Sequence, residues 1–287
     1  MDENKFAVLI LTHGRAQRVI TYDKLRQQGY TGKIYLIIDD EDEQKDAYFK
    51  KFCDQVIMFS KSESAAHVDT ADNLNKRNVV VFARNECHRI AGELGLTHFL
   101  ELDDDYSGFM FRRIEGKKMT HHMCKNLDRL FSDMCEFLDT SGALTIAFAQ
   151  GGDFIGGANS GTFKKKVLRK AMNTFFCRTD RPFQFYGRIN EDTTMYCLLG
   201  NQGHKIFTVT DVMVTQGMTQ QNAGGLTDIY LDLGTYVKSF YTVMYCPQAV
   251  KVQEMGASHK RLHHNIAWNF CVPKILNQKW RNEKSNI

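Results

Sequence analysis

The chain has 287 residues, 43% of them hydrophobic and 24% charged, with a formal net charge of +4. That length and apolar content suit one large α/β domain, or one domain with an appendage, and exclude a disordered chain. Three prolines and no low-complexity tract leave no boundary marked by composition, so we expect a main domain over residues 1–245 and an extension over 246–287. The eight cysteines contain no Cys-x-x-Cys pair, which argues against a zinc ribbon or a disulfide framework and predicts buried, reduced thiols.

In chain order, Phe6–Thr12 is a continuous apolar run, too short for a membrane span or a signal-peptide core, and it predicts a soluble, cytoplasmic protein. The run has the length of a central parallel strand buried on both faces, and it ends in the turn His13-Gly14-Arg15. Residues 15–28 read as a helix stopped by Gly29. Ile34–Ile38 reads as a second buried strand ending in Asp39-Asp40-Glu41-Asp42, and Gln55–Phe59 as a third. After a polar stretch from Ser60 to Arg77, the residues Val79, Ala83, Cys87, Ile90, Ala91 and Leu94 repeat at helical spacing up to Gly95. A fourth strand, Thr97–Leu102, runs into Asp103-Asp104-Asp105. A helix over 121–138, a strand Ala143–Ala149, a glycine-rich loop over 151–161, a short helix opened by Glu191-Asp192 and a strand Lys205–Val209 follow, before a polar loop over 215–227.

Strands alternating with helices predict β-α-β units, a mostly parallel sheet and a ligand outside the carboxyl ends of the strands. The acidic residues fall at those ends. In an Asp-x-Asp after a strand, Asp103 and Asp105 point into one crevice while the middle residue faces the other way, and Tyr106 walls the same pocket. Two such carboxylates suit a hard divalent cation, Mn²⁺ or Mg²⁺, which stabilises a diphosphate leaving group. The plain alternative is an acidic turn exposed to water.

Taken together, Val8–Arg15, Ile37–Asp40, Ala83-Arg84-Asn85, Leu102–Asp105 and Glu191-Asp192 resemble the layout of the GT-A glycosyltransferases over roughly residues 6–210. The resemblance implies a GT-A (Rossmann-like) α/β fold with a mostly parallel sheet flanked by helices and a C-terminal helical extension closing on the active site. It implies a nucleotide-sugar donor, most readily a UDP-sugar. Thr12, Arg15 and Asp39 would hold the nucleoside; Arg84, Asn85, Asp103 and Asp105 would hold diphosphate, sugar and metal. More narrowly, Leu102–Tyr106, the 151–161 loop and Glu191–Thr194 resemble the TET-associated glycosyltransferases. Members of that group are associated with bacteriophage DNA modification and place sugars on 5-hydroxymethylated pyrimidines. A DNA acceptor and, for a phage-encoded chain, a place in the host cytoplasm follow as expectations.

Other assignments stand beside plainer readings. Asp40 onward reads as a cap for the next helix. Arg84, on an otherwise apolar helix, suits either a two-pronged grip on a diphosphate or a structural salt bridge. Asp192, with Glu191 in reserve, is the candidate general base that takes the acceptor hydroxyl's proton; the alternative is a helix N-cap. If transfer retains configuration, Asp192 orients acceptor or donor instead. Asp153 and Asn159 could read sugar hydroxyls from the glycine-rich loop, or that loop is mobile surface. In many GT-A enzymes a C-terminal histidine returns as a third metal ligand, which marks His263, indistinguishable here from His264. Basic clumps at Arg112–Lys118, Lys164–Lys170 and Lys260, Arg261, Lys279 and Arg281 suit a polyanion or a solvated face, and Phe183, Phe185 and Tyr186 are candidates for stacking on an extruded base. Two rivals remain: a sugar nucleotidyltransferase, which needs a longer glycine-rich basic first loop than Thr12–Arg15, and a non-catalytic nucleic-acid-binding protein of the same fold.

Overall fold

In the computed structural model the described residues are 5–216, 237–255 and 261–271. Lys260, Lys279 and Arg281 lie outside them, as does most of the 215–227 loop.

The apolar run at the start forms strand β1 (Phe6–Leu11), buried along its whole length. It pairs in parallel with β2 (Lys33–Asp39) and β4 (His98–Asp103), and β2 pairs in parallel with β3 (Val56–Phe59). The sheet continues from β4 through β9 (Thr174–Arg178), β7 (Thr145–Ala149) and β10 (Ile206–Gln216) to the hairpin of β5 (Tyr106–Glu115) and β6 (Lys118–Met123). A two-residue strand, β8 (Val167–Leu168), pairs with the lower part of β10. Following each pairing across the sheet, β3, β2, β1, β4, β7, β10 and β6 run one way, and only β9, β5 and β8 run against them.

Alternate residues of each strand serve opposite faces. Ala7, Leu9 and Leu11 join Phe99 and Phe175 in a core covered by α4 (Val81–Glu93) and α7 (Glu191–Asn201). Phe6, Val8 and Ile10 join Leu100, Phe148 and Phe176 in a second core covered by α1 (Ile20–Gln27), α2 (Lys45–Phe52) and α5 (Leu127–Ser141). At the centre of the second core, Phe131 of α5 lies within 6.2 Å, centroid to centroid, of the rings of Phe6, Tyr30, Phe109, Phe148 and Phe176.

Several elements depart from the sequence reading. The helix expected from residue 15 begins at Ile20, and α5 begins at Leu127, where the Asn126 side chain accepts the Arg129 N–H at 2.9 Å, and ends at left-handed Gly142. The polar stretch contains a helix, α3 (Lys61–His67), started by Ser60 and by Asp40, whose carboxylate accepts the Lys61 N–H at 2.9 Å. Asp40 therefore caps α3 and not α2, the next helix in sequence, whose N-cap Gln44 makes no side-chain cap bond. A short helix, α6 (Gly161–Lys164), and two 3-10 turns occupy the glycine-rich loop. The hairpin β5–β6 and strand β9 were not foreseen. Of the 246–287 extension, expected to be helical, the described part is an antiparallel hairpin, β11 (Val250–Met255) and β12 (Arg261–Ile266), followed by a single helical turn, Trp268–Cys271. All eight cysteines are free thiols, and only Cys53 is exposed. Among the described residues no helix is long and apolar enough to cross a membrane.

Candidate active site

Register brings the functional strand ends level: Leu11 of β1 faces Ile37 of β2 on one side and Asp103 of β4 on the other. Above them opens a cavity of about 850 Å³, walled also by the loop after β7, the start of α7 and His263 and His264 of β12. Thr12, Arg15, Asp39, Arg84, Asp103, Asp105, Glu191, Asp192 and His263 all line it. Asn85 does not. Its amide bridges the backbone of Phe185, donating to the carbonyl at 3.0 Å and accepting the N–H at 2.8 Å, so its expected role at the donor gives way to bracing the chain before α7.

The acidic turn after β4 differs from its spacing argument in one respect: Asp104, expected to face the other way, lines the cavity with Asp103 and Asp105. Asp104, buried, accepts from the Thr12 hydroxyl at 2.7 Å and from Arg15 Nη1 at 2.9 Å, and the Thr12 hydroxyl lies 2.8 Å from the Tyr48 hydroxyl. The middle carboxylate thus ties the turn to the end of β1, and Thr12 and Arg15 are engaged in holding it. Tyr106 is fully buried under the site rather than walling it; its hydroxyl lies 2.6 Å from the Asn173 carbonyl and 3.1 Å from Asp103 Oδ2. Asp105 forms no salt bridge among the described residues, and burial together with the charges of Asp103 and Asp104 pushes its carboxyl up to about 6.

Arg84 organises the floor. Its guanidinium donates to Glu101 at 2.6 Å, Glu191 at 3.0 Å and Asp103 at 3.1 Å, while Phe175 and Phe185 flank it at 5.2 and 5.7 Å. With a side chain only 3% exposed and three of its five N–H donors given to carboxylates, it serves as a structural salt bridge. One cation faces three carboxylates here. Burial raises the Glu101 carboxyl to about 7 against the pull of Arg84, and burial with the charge of Asp192 raises that of Glu191.

Asp192 is buried at the cavity wall in the first turn of α7. The N-cap is Asn190, left-handed at φ 58° and making no side-chain cap bond, so Asp192 does not have that job. Its Oδ1 accepts the Thr193 N–H at 2.6 Å, and burial lifts its carboxyl above the ordinary range. A carboxylate held by the Thr193 N–H and, at 3.3 Å, the Thr193 hydroxyl, and raised by burial, has the properties of a proton acceptor.

At the other end of the cavity, Asp39 accepts from Lys61 Nζ at 3.1 Å and pairs with His13 Nδ1 at 2.7 Å. Its carboxyl is drawn down by His13 and Lys61 against the effect of burial, so it presents an ionised acceptor. Asp153 accepts the Gln150 N–H at 3.0 Å and pairs with Lys170, which closes the glycine-rich loop on itself, and Asn159 is not in the lining. The sequence reading missed His13, Lys61, Lys170 and Tyr196 as lining residues. His13 was legible as the turn residue after β1, Lys170 only as the end of a basic clump and Tyr196 only as part of the helix opened by Glu191-Asp192, while Lys61 sits in a polar stretch with no motif. Phe183 and Phe185 belong to the core, and Tyr186 tilts against Tyr245 at 6.0 Å, so none stands ready to stack on a base.

A divalent cation fits the acidic turn on its donor chemistry: hard oxygens from Asp103 and Asp105, with Asp105 uncompensated by any salt bridge among the described residues. The third ligand is another matter. No set of three His, Cys, Asp or Glu side chains converges on one point among the described residues, so His263 does not complete a triad; its Nδ1 lies 2.6 Å from the His264 carbonyl.

Comparison with known proteins adds a family. A family model described as TET-Associated Glycosyltransferase matches residues 6–225. Among solved structures the chain is similar to the mannosyltransferase PcManGT from Pyrobaculum calidifontis in complex with GDP-Man and Mn²⁺, at 10% identity and a TM-score of 0.47, over 76% of this chain and 58% of that one. It is also similar to S. aureus TarS 1-349 in complex with UDP-GlcNAc, at 14% identity and a TM-score of 0.42, over 84% of this chain and 71% of that one. The chain spans 58% of the length of PcManGT and 37% of the longer TarS chain. No curated protein matches it.

Proposed function

This chain belongs to the TET-associated glycosyltransferase family, and from that premise we propose that it transfers a sugar from a nucleotide-sugar, most readily a UDP-sugar, to the hydroxyl of a 5-hydroxymethylated pyrimidine in DNA. The observation that carries the reading is the acidic turn at the carboxyl end of β4, where Asp103 and Asp105 line the cavity and Asp105 forms no salt bridge among the described residues.

On this reading Asp103 and Asp105 hold Mn²⁺ or Mg²⁺, which when bound neutralises charge on the departing diphosphate. Asp39, ionised beside Lys61, accepts from the ribose hydroxyls, and the exposed part of Arg15 faces the nucleoside. Asp192 takes the proton of the acceptor hydroxyl as its oxygen bonds to the anomeric carbon and the bond from that carbon to the phosphate oxygen breaks. Glu191, bound to Arg84, positions the start of α7. Arg84 holds Asp103 and Glu191 in register and does not itself meet the diphosphate. Residues 1–245 form the transferase domain, and the 246–287 extension closes on the active site, a role supported by His263 and His264 in the cavity wall.

The test is direct. The protein, Mn²⁺ and a panel of UDP-sugars are incubated with duplex DNA bearing 5-hydroxymethylcytosine or 5-hydroxymethyluracil, and the digested nucleosides are weighed by mass spectrometry. A mass gain of one sugar on a hydroxymethylated base is the expected result. Sugar transfer to protein or free sugar hydroxyls, with none to DNA, would redirect the acceptor; hydroxymethylated DNA bound but unmodified with every donor would favour the non-catalytic reading.

A further inference from the structure

Two of the basic clumps meet at one edge of the sheet. Strand β10 has β7 along one side, and its other side is shared by β8 at residues 208–209 and by β5 at residues 212–216. The basic tip of the β5–β6 hairpin and the lysines of α6 are therefore neighbours. Met110, Met119, Phe154 and Phe163 pack between them, and Arg112 lies 4.8 Å over the Phe154 ring. Arg113, Lys117, Lys118, Lys164 and Lys165 are all exposed there.

From this edge the glycine-rich loop leads to the cavity. Gly152 and Asp153 line it, Phe154 is anchored beneath Arg112, and Ile155 projects to solvent with 81% of its surface exposed. Gly156 and Gly157 follow at φ 96° and 57°, a tight tip that Cβ-bearing residues rarely adopt. An exposed isoleucine is unremarkable by itself. This one stands between a basic edge and a cavity wall. Along β10, the six residues from Asp211, paired with Lys166, to Gln216 in the cavity wall span roughly 16 Å, about five base-pair steps of a duplex.

Resting on the acceptor reading above, we infer that this edge is the docking surface for duplex nucleic acid, and that Ile155 is the wedge that enters the base stack and holds the target base extruded into the cavity. The exposed cations contact phosphates and fix position. The isoleucine fills the space the extruded base leaves, as apolar side chains of duplex-bending proteins do between base steps. Asp153, closed onto Lys170, holds the loop at the mouth of the cavity.

The experiment uses a duplex with one 5-hydroxymethylcytosine and a neighbouring 2-aminopurine, whose fluorescence rises on unstacking, and the same labelled strand alone. Wild type and Ile155→Leu should raise the fluorescence of the duplex. Ile155→Ala should abolish that rise and lower kcat/KM on duplex at least tenfold, with single-strand turnover within twofold of wild type. Lys164→Ala with Lys165→Ala should weaken binding to unmodified duplex and reduce the slope of log K against log salt by about 1.8. Equal loss on duplex and single strand, or an undiminished fluorescence rise with Ile155→Ala, would overturn the wedge; an unchanged salt slope would overturn the docking surface. A wild type that neither binds duplex nor glycosylates either substrate would overturn the acceptor reading itself.

Discussion

Arg84 Nη1 and Glu101 Oε1 lie 2.6 Å apart, each side chain at most 3% exposed, directly beneath the aspartate that closes β4. This pair sets the floor of the site, because the same guanidinium also holds Asp103 and Glu191. Arg84→Met leaves three carboxylates without their cation and should cost about 3–5 kcal/mol in urea denaturation, as breaking a buried pair does. Glu101→Gln should cost less than about 1 kcal/mol, since burial already raises that carboxyl to about 7. A raised folded-state carboxyl gives stability that is present below the unfolded value near 4.5 and lost as pH climbs through 7. Wild type should therefore lose stability relative to Glu101→Gln across that window. Parallel pH curves for the two proteins would contradict this.

Asp192→Asn keeps the shape of the α7 turn while removing proton acceptance. We expect kcat to fall at least a hundredfold with donor affinity, measured by calorimetry, changed less than threefold. Equal loss in both would make Asp192 a donor contact.

His88 gives a pH effect of the opposite sign. Its ring lies edge-on to Phe99 and Phe183, both nitrogens are buried without partners among the described residues, and burial lowers its pKa to about 4. Unfolded histidine binds a proton near 6.5, so wild type should lose stability as pH falls from 6.5 to 4, by at most about 3 kcal/mol. His88→Phe should remove that loss; a variant with the same acid sensitivity would contradict it.

Asn85→Ala separates the structural role found here from a donor role. Removing two hydrogen bonds to the Phe185 backbone should destabilise by about 1–3 kcal/mol and leave the affinity of the folded protein for a nucleotide-sugar unchanged. Tighter or weaker donor binding at unchanged stability would restore the expectation read from the sequence.

What the sequence made legible follows from how local each signal is. β1, β2 and β4 were readable because strands buried on both faces are continuous apolar runs, and their ends carry the acidic residues. The hairpin β5–β6 was not, since past Phe111 its exposed half reads as basic surface, and the five-residue β9 runs antiparallel to both its neighbours, outside the β-α-β alternation. Arg84 was conspicuous on an apolar helix, yet its meaning depends on Glu101 and Glu191, 17 and 107 residues away. Strand alternation predicts that Asp104 faces away from the crevice, yet it lines the cavity beside Asp103 and Asp105, because the register of β1 against β4 brings Thr12 and Arg15 onto it. The His263 assignment came from family layout alone, and the described geometry does not supply the triad.

The proposed function depends on a donor site completed by a divalent cation on Asp103 and Asp105. Its most direct test is the thermal shift of wild type and Asp105→Asn with UDP, with and without Mn²⁺. We predict a rise in Tm for wild type that requires both ligands together, by mass action on the folded state, and none for Asp105→Asn, which by itself should fold as well as wild type because Asp105 holds no salt bridge among the described residues. A Mn²⁺-independent shift of equal size in both proteins would contradict the claim.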